Sequence, residues 1–133
     1  MQSIWPLYLL AALGPARLYD VTVETGLPHL EENLRYAITR TEQCLAREDL
    51  DSAFPILQHS SLAGCKLREQ SENEDTITYT LICDGSSGTT GTATWRMGEH
   101  VIRGTLEVKL GGKNMTFFQR VTGKLIGECP PVG

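Results

Sequence analysis

The stretch CKLREQSENEDTITYTLIC, residues 65–83, contains the pattern that decides the fold. Its second half, residues 76–83, alternates apolar side chains with threonines, as expected for a strand with one buried face. A polar, turn-like segment around Glu74 separates it from a first strand. Because a hairpin centred on Glu74 sets Cys65 directly opposite Cys83, the register predicts a disulfide between them.

The cysteines indicate an oxidising compartment. There are four, an even number, and none stands in a C-x-x-C pair, so neither a zinc site nor a thioredoxin-type site is indicated. Outside the cytoplasm such a set forms two bridges, with three possible connectivities. Since the hairpin uses Cys65 and Cys83, the second predicted bridge joins Cys44 to Cys129.

The segment that follows predicts a second hairpin. Gly98-Glu99 suits a two-residue type II′ turn with glycine first. That turn sets Trp95 opposite Ile102 and Ala93 opposite Gly104, so the apolar faces of the two strands coincide.

A third strand continues this antiparallel meander. The glycine-rich loop at residues 111–114 sets Leu110 opposite Met115 and Val108 opposite Phe117. The back half of the chain is therefore predicted to be one continuous sheet.

The front half adds two strands and a helix. Residues 18–25 and 34–43 alternate with period two, whereas Arg47 to Ala53 has an acidic first turn and helical spacing that Pro55 helps to end. The predicted fold class is all-β, a mainly antiparallel barrel or sandwich of about seven strands with one short α-helix.

The N-terminus is typical of an export signal. The first sixteen residues carry no charged side chain, and their apolar run is too short to span a bilayer. Gly14 and Ala16 form a small-x-small pattern, so we expect cleavage after Ala16. The alternative is an apolar strand that stays in the fold. The prediction is a signal peptide at 1–16 and one disulfide-bridged domain at 17–133, without a transmembrane span, in the periplasm or outside the cell.

Charge argues against polyanionic partners. The net charge is −4, and the twelve lysines and arginines are scattered along the chain. Without a basic stripe to neutralise phosphates, neither nucleic acid nor an anionic membrane surface is an expected partner.

With these landmarks in place, the chain resembles the bacterial envelope family known as domain of unknown function 3617. The resemblance covers nearly all of residues 18–129 and rests chiefly on the cysteine order. It is carried by LYDVTVET at 18–25, Gln43-Cys44-Leu45, Glu48-Asp49-Leu50, Cys65-Lys66, GTTGTAT at 88–94 and TGKLIGEC at 122–129. It implies an exported, mostly β protein and brings no catalytic residues.

Two departures from the family pattern stand out. Tyr19 occupies a position where the family usually has tryptophan, and Ala46-Arg47 replaces a Thr-Pro helix start. The second removes an N-cap, which costs the helix about 1 kcal/mol unless another group replaces it.

The histidines give little indication of catalysis. His29, His59 and His100 have no metal-ligand neighbours at suitable spacing, so no metal and no cofactor are predicted. His59 lies beside Ser60 and Ser61, which leaves a hydrolase-like enzyme as an alternative, although no Gly-x-Ser-x-Gly elbow is present.

A set of large apolar side chains shares one face of the predicted sheet. These residues form the core and are also the predicted ligand-binding set, since a barrel of this size can hold one small apolar ligand. The set is Tyr79, Trp95, Ile102, Leu106 and Phe117. Phe118 alternates onto the opposite face, where it is available to a partner.

The leading functional hypothesis is a non-enzymatic cell-envelope module that binds a partner protein or a small apolar ligand. One alternative is the hydrolase-like enzyme near His59 and Ser60. Another is a structural subunit of an envelope assembly, in which Phe118 and a sheet edge pair with neighbours. The oligomeric state is left open by the sequence.

Overall fold

The protein folds as one antiparallel sheet in a computed structural model that describes residues 16–26, 36–84, 88–111 and 115–130. Within these residues seven strands have the order β2-β1-β7-β6-β5-β4-β3. They are β1 Arg17–Gly26, β2 Tyr36–Leu45, β3 Cys65–Asn73, β4 Thr76–Cys83, β5 Thr90–Met97, β6 Val101–Leu110 and β7 Met115–Glu128. The all-β prediction is confirmed. Residues 1–15 of the predicted signal peptide, His29 and loop residues 112–114 lie outside the described ranges.

The core lies on one side of the sheet, because buried and exposed residues alternate along the central strands. In β1, for example, Tyr19, Val21 and Val23 are buried. Cross-strand pairing extends this face through rows of neighbours such as Val23, Val121, Gly104, Trp95 and Ile77. We call this side the inner face and the opposite side the outer face.

Three short 3₁₀ helices between β2 and β3 cover the inner face: η1 Arg47–Ser52, η2 Pro55–Gln58 and η3 Ser60–Leu62. This cover contributes Leu50, Phe54 and Leu62, all of them almost completely buried. The Phe54 ring lies 5.5 Å from that of Trp95, and the Trp95 indole N–H donates to the Leu50 carbonyl over 3.0 Å. The sheet and its cover therefore form one core.

The predicted short helix is present as the 3₁₀ helix η1 instead of an α-helix, and two further 3₁₀ turns occupy the segment predicted as loop. Six residues ahead of Pro55 give little room for α-helical hydrogen bonds, and 3₁₀ geometry suits such short pieces. Ala46 supplies no side-chain cap, but the Asp49 carboxylate accepts from the Ala46 N–H over 2.8 Å. Half of a capping box is thus kept.

The hairpin at residues 65–83 has the predicted disulfide. Cys65 pairs with Cys83 across β3 and β4, and the two are bonded. Nearer the turn, the register shifts at a bulge between Glu69 and Ser71 that the sequence pattern did not indicate. Glu74, in the turn, has a φ of 55°, so the tight turn lies where the polar segment predicted it.

The predicted register of the second hairpin is wrong by two residues. Trp95 lies opposite Gly104, and Met97 opposite Ile102. The Gly98 N–H donates to the Val101 carbonyl over 3.0 Å, so the two-residue turn is Glu99-His100 instead of Gly98-Glu99. A shift of two keeps every side chain on its predicted face. It also places the bulky indole over a glycine, which packs better than two large side chains facing each other.

The last two predictions of pairing are confirmed. Leu110 lies opposite Met115 and Val108 opposite Phe117 in the β6–β7 pair. The second bridge joins Cys44 in β2 to Cys129, just after β7, with 5.8 Å between their Cα atoms. Since β1 lies between β2 and β7, this bridge holds the three strands together at one end of the sheet.

Candidate functional site

The predicted ligand-binding residues all lie on the inner face and are all buried: Tyr79, Trp95, Ile102, Leu106 and Phe117. They pack in one hydrophobic cluster with Leu50, Phe54 and Leu62 of the cover. The sequence analysis therefore identified the core, and a ligand-binding role for these side chains stays a prediction.

The candidate catalytic histidines His59 and His100 lie on different elements, whereas Ser60 follows His59 directly as the first residue of η3. His59 lies between η2 and η3, where its Nδ1 accepts from the Ser61 N–H over 3.1 Å. That contact caps η3 and engages the lone pair that a general base would use. His100 lies in the β5–β6 turn, where its carbonyl accepts from the Leu125 N–H. In the described part of the chain, no group of three or more His, Cys, Asp and Glu side chains is placed to hold a metal ion.

The outer face brings together cations that are far apart in the sequence. Arg96 on β5 and Arg103 on β6 are direct cross-strand partners, and both are exposed. Thr76 on β4 and Thr122 on β7 extend the row on either side. This row of cross-strand partners crosses six strands and contains no carboxylate. Its members are Thr76, Arg96, Arg103, Thr122, Thr22 and Arg40. We call Arg96 and Arg103 the arginine pair.

Two more cations lie diagonally from the arginine pair. Arg120 and Lys124 stand two residues on either side of Thr122, the β7 partner of Arg103. Diagonal neighbours across a strand pair are close enough for long side chains to interact. The four cations therefore form one cluster on β5, β6 and β7, although they are spread over 29 positions of the chain, counted from 96 to 124 inclusive.

The arginine pair makes no ion pair with any residue that the structure describes, and two other arginines provide the contrast. Arg40 donates to both carboxylate oxygens of Asp20, and Arg47 pairs with Glu69 and Glu72. The hydrogen bond from Arg40 lowers the pKa of Asp20 below its usual value, and Lys124 adds a smaller attraction. Since like charges set opposite each other destabilise a sheet, we expect the arginine pair to lower the stability of the free fold.

An open depression of about 380 Å³ lies on the same outer face, toward the other end of β5 to β7. Threonine hydroxyls, Glu107, Lys109 and Phe118 line it. Phe118 is half-buried, and the Arg120 guanidinium lies 4.8 Å from its ring centre. Because Phe118 also packs over Gly26, it contributes to the structure of the outer face.

The sequence analysis missed this cluster for a specific reason. Read along the chain, the cations are scattered, and only the strand register brings them together. The two-residue error in the β5–β6 hairpin set Arg103 opposite Thr94, which concealed the arginine pair. The signal that could have found the pair was the Trp95–Gly104 fit, since that contact sets the correct register.

The fold and the site together define a disulfide-bridged, single-sheet β domain with a pair of facing arginines on its outer face. The chain belongs to the family described as protein of unknown function (DUF3617), which it matches over residues 17–129. No curated protein sequence and no solved structure is significantly similar to it. Among the described residues, no helix is long and apolar enough to cross a membrane.

Proposed function

We propose that this protein is an exported, non-enzymatic binding domain and that its arginine pair holds a phosphate group of the ligand. The observation that carries the proposal is the direct pairing of Arg96 with Arg103 on an exposed face without a carboxylate partner among the described residues. An anionic ligand is preferred to a small apolar one because Leu50 and Phe54 of the cover pack against the inner face.

Two features support export. Two disulfides are typical of proteins that fold outside the cytoplasm. The family match begins at residue 17, directly after the cleavage position that the uncharged, apolar N-terminus indicates. The proposed location is therefore the periplasm or the extracellular space.

The chemistry of the pair favours phosphate over carboxylate. Each guanidinium offers five N–H donors in a planar fork that suits two oxygens of an anion. One guanidinium fork can engage both oxygens of a carboxylate, whereas a phosphate keeps further oxygens for the second arginine. Thr94 and Thr105 form the next cross-strand pair on the outer face and add hydroxyl groups to this surface.

The stability of the free protein gives an independent criterion. Two cations directly opposite each other destabilise a sheet, whereas favourable cross-strand pairs stabilise it by roughly 0.2–1 kcal/mol. A pair kept for structure should not carry such a cost, whereas binding sites often do. We expect Arg103→Gln to maintain or raise the melting temperature while it removes binding.

The test is an NMR titration of the folded, oxidised protein with inorganic phosphate, with chloride at matched ionic strength as the reference. We expect saturable shifts of the backbone amides of Arg96 and Arg103. Each charge-assisted hydrogen bond contributes about 1.5–3 kcal/mol, so Arg96→Gln or Arg103→Gln should weaken binding about tenfold or more. Arg68→Gln, which removes an equal charge from β3, is the matched control and should bind as the wild type does.

A second arm identifies the source of the phosphate. The protein is sedimented with vesicles of phosphatidylglycerol and, separately, of phosphatidylcholine. Binding to the anionic vesicles that depends on Arg103 indicates a lipid headgroup, whereas binding to inorganic phosphate alone indicates a soluble ligand. The proposal fails if neither probe binds, or if Arg68→Gln weakens binding as much as Arg103→Gln does.

A further inference from the structure

Among the residues that the structure describes, strand β2 ends the sheet with an unpaired edge. It pairs with β1, and no other described strand lies along its second side. Its residues 38–42 are exposed on both faces, and Ile38 is 69% exposed. A strand of this kind presents a row of backbone donors and acceptors that another strand can use.

The opposite edge of the sheet is protected, and the contrast is informative. Strand β3 contains a bulge between Glu69 and Ser71, which interrupts a regular edge. Arg47 of η1 also binds Glu69 and Glu72 there, so that part of the cover is held against β3. Bulges, charges and covering elements are the usual means by which proteins prevent edge pairing. In the ten-residue β2, no register shift interrupts its pairing with β1.

A second copy of the chain can pair with β2 in only a few registers. Two identical strands pair antiparallel about a two-fold axis, and inner and outer faces stay continuous only if one residue of β2 lies on that axis. The possible registers therefore differ in which residue faces its own copy.

Charge selects one of these registers. With Arg40 on the axis two arginines face each other, and with Glu42 on the axis two glutamates do. With Thr41 on the axis, Arg40 of each copy faces Glu42 of the other, which makes two opposite-charge pairs on the outer face. Opposite-charge pairs across strands are favourable, and like charges are not.

We propose that two copies of this protein associate along β2 with Thr41 on the two-fold axis, which joins the two seven-stranded sheets into one. A depression of about 300 Å³, lined by Asp20, Arg40, Thr41 and Glu42, lies at this edge and provides space for the Glu42 side chain of the second copy. The inference is independent of phosphate binding, because the arginine pair lies on β5 and β6.

Cysteine substitutions in β2 test directly which residues of the two copies face each other. Thr41→Cys places two thiols opposite each other on the axis, so mild oxidation should yield a covalent dimer. Thr39→Cys, on the same face and also exposed, is the matched control and should stay unlinked, since Thr39 faces Gln43 in this register. Equal cross-linking of both variants, or none of Thr41→Cys, overturns the proposal.

Charge reversal tests the same register without new thiols. Glu42→Arg alone sets two guanidinium groups against each other in each cross-copy pair, and Arg40→Glu alone sets two carboxylates against each other. Each variant should therefore weaken self-association by about tenfold or more. A mixture of the two variants allows a mixed dimer in which both cross-copy pairs join a cation of one variant to an anion of the other, so the mixture should associate more strongly than either variant alone.

The double variant Arg40→Glu/Glu42→Arg completes this test. It restores an opposite charge in both cross-copy pairs with the signs exchanged, so it should dimerise about as well as the wild type. Light scattering and native mass spectrometry measure the species, and recovery in the double variant excludes misfolding as the cause of the loss. A monomeric wild type, or unchanged dimers of Glu42→Arg, would contradict the inference.

Discussion

The contact between Trp95 and Gly104 predicts a large effect from one added methyl group. A Cβ atom at residue 104 would lie 2.5 Å from Cε2 of the indole and 2.7 Å from two further ring atoms. The indole cannot move away easily, because it is fully buried, donates to the Leu50 carbonyl and packs against Phe54. Gly104→Ala therefore forces the indole out of a well-packed position.

The magnitude follows from two costs. Overpacking a core by one methyl costs typically about 1–3 kcal/mol, and loss of the buried indole hydrogen bond adds about 1 kcal/mol. We expect Gly104→Ala to lower the free energy of unfolding by about 2–4 kcal/mol, measured by urea denaturation followed through tryptophan fluorescence. Gly127→Ala is the matched control, since nothing lies within 4 Å of its added Cβ. Its unfolding free energy should stay within about 0.5 kcal/mol of the wild type.

A double variant separates this clash from a general intolerance of Gly104. Trp95→Leu removes the ring atoms that the new methyl would meet, so Gly104→Ala should cost at least about 1 kcal/mol less in that background. If Gly104→Ala is as harmless as Gly127→Ala, the indole does not lie over residue 104. The β5–β6 register, and with it the arginine pair, would then be wrong.

Three further outcomes follow from the structure. Gln119→Leu should destabilise the fold by about 1–3 kcal/mol in urea denaturation, because the buried amide oxygen accepts from the Ile56 N–H and no other described group replaces it. Burial raises the pKa of Tyr79 to about 12, although the charge of Arg47 acts in the opposite direction. The stability that the protonated Tyr79 hydroxyl contributes is therefore complete below pH about 10 and is lost as the pH rises to about 12. Unfolding of the wild type should therefore become more favourable over that range than unfolding of Tyr79→Phe, and equal slopes would refute this. Removing the Cys44–Cys129 bridge with paired alanines should cost about 4 kcal/mol in thermal or urea unfolding, and a cost under about 1 kcal/mol would contradict the bridge.

Much of the fold could be predicted because period-two patterns specify which face of a strand is buried. The Cys65–Cys83 pair and the Val108–Phe117 pair were predicted from such patterns, and the structure confirms both. The alternation of buried and exposed residues does not distinguish registers that differ by two residues. The predicted register of the β5–β6 hairpin was wrong for this reason. The correct register is set by the packing of the Trp95 indole over Gly104. Such a fit depends on side-chain volume, which the alternation of apolar and polar residues does not show.

The candidate site was harder to predict than the fold. Its cations come from β5, β6 and β7, and their proximity depends on two correct registers at once. The apolar residues that the sequence singled out proved to be core, because hydrophobic alternation indicates burial whether or not a ligand is present. The cover formed by η1, η2 and η3 was only partly foreseen, since 3₁₀ turns have weak sequence signals.

The proposed binding surface and the proposed β2 interface do not compete for the same residues. The arginine pair lies on β5 and β6, and the β2 edge is separated from it by β1 and β7. A dimer would carry two arginine pairs on one continuous outer face. Such an arrangement allows a ligand with several phosphate groups to bind both copies at once, with the gain in affinity that multivalency provides.

The most direct test is native mass spectrometry of protein purified gently from the envelope of the organism that makes it, compared with an Arg96→Gln/Arg103→Gln variant from the same source. We expect the wild type to carry a phosphorus-containing molecule that the double variant lacks, while Arg68→Gln retains it. A molecule retained by the double variant, or an apolar molecule without phosphorus, would contradict the assignment of the arginine pair as the binding site.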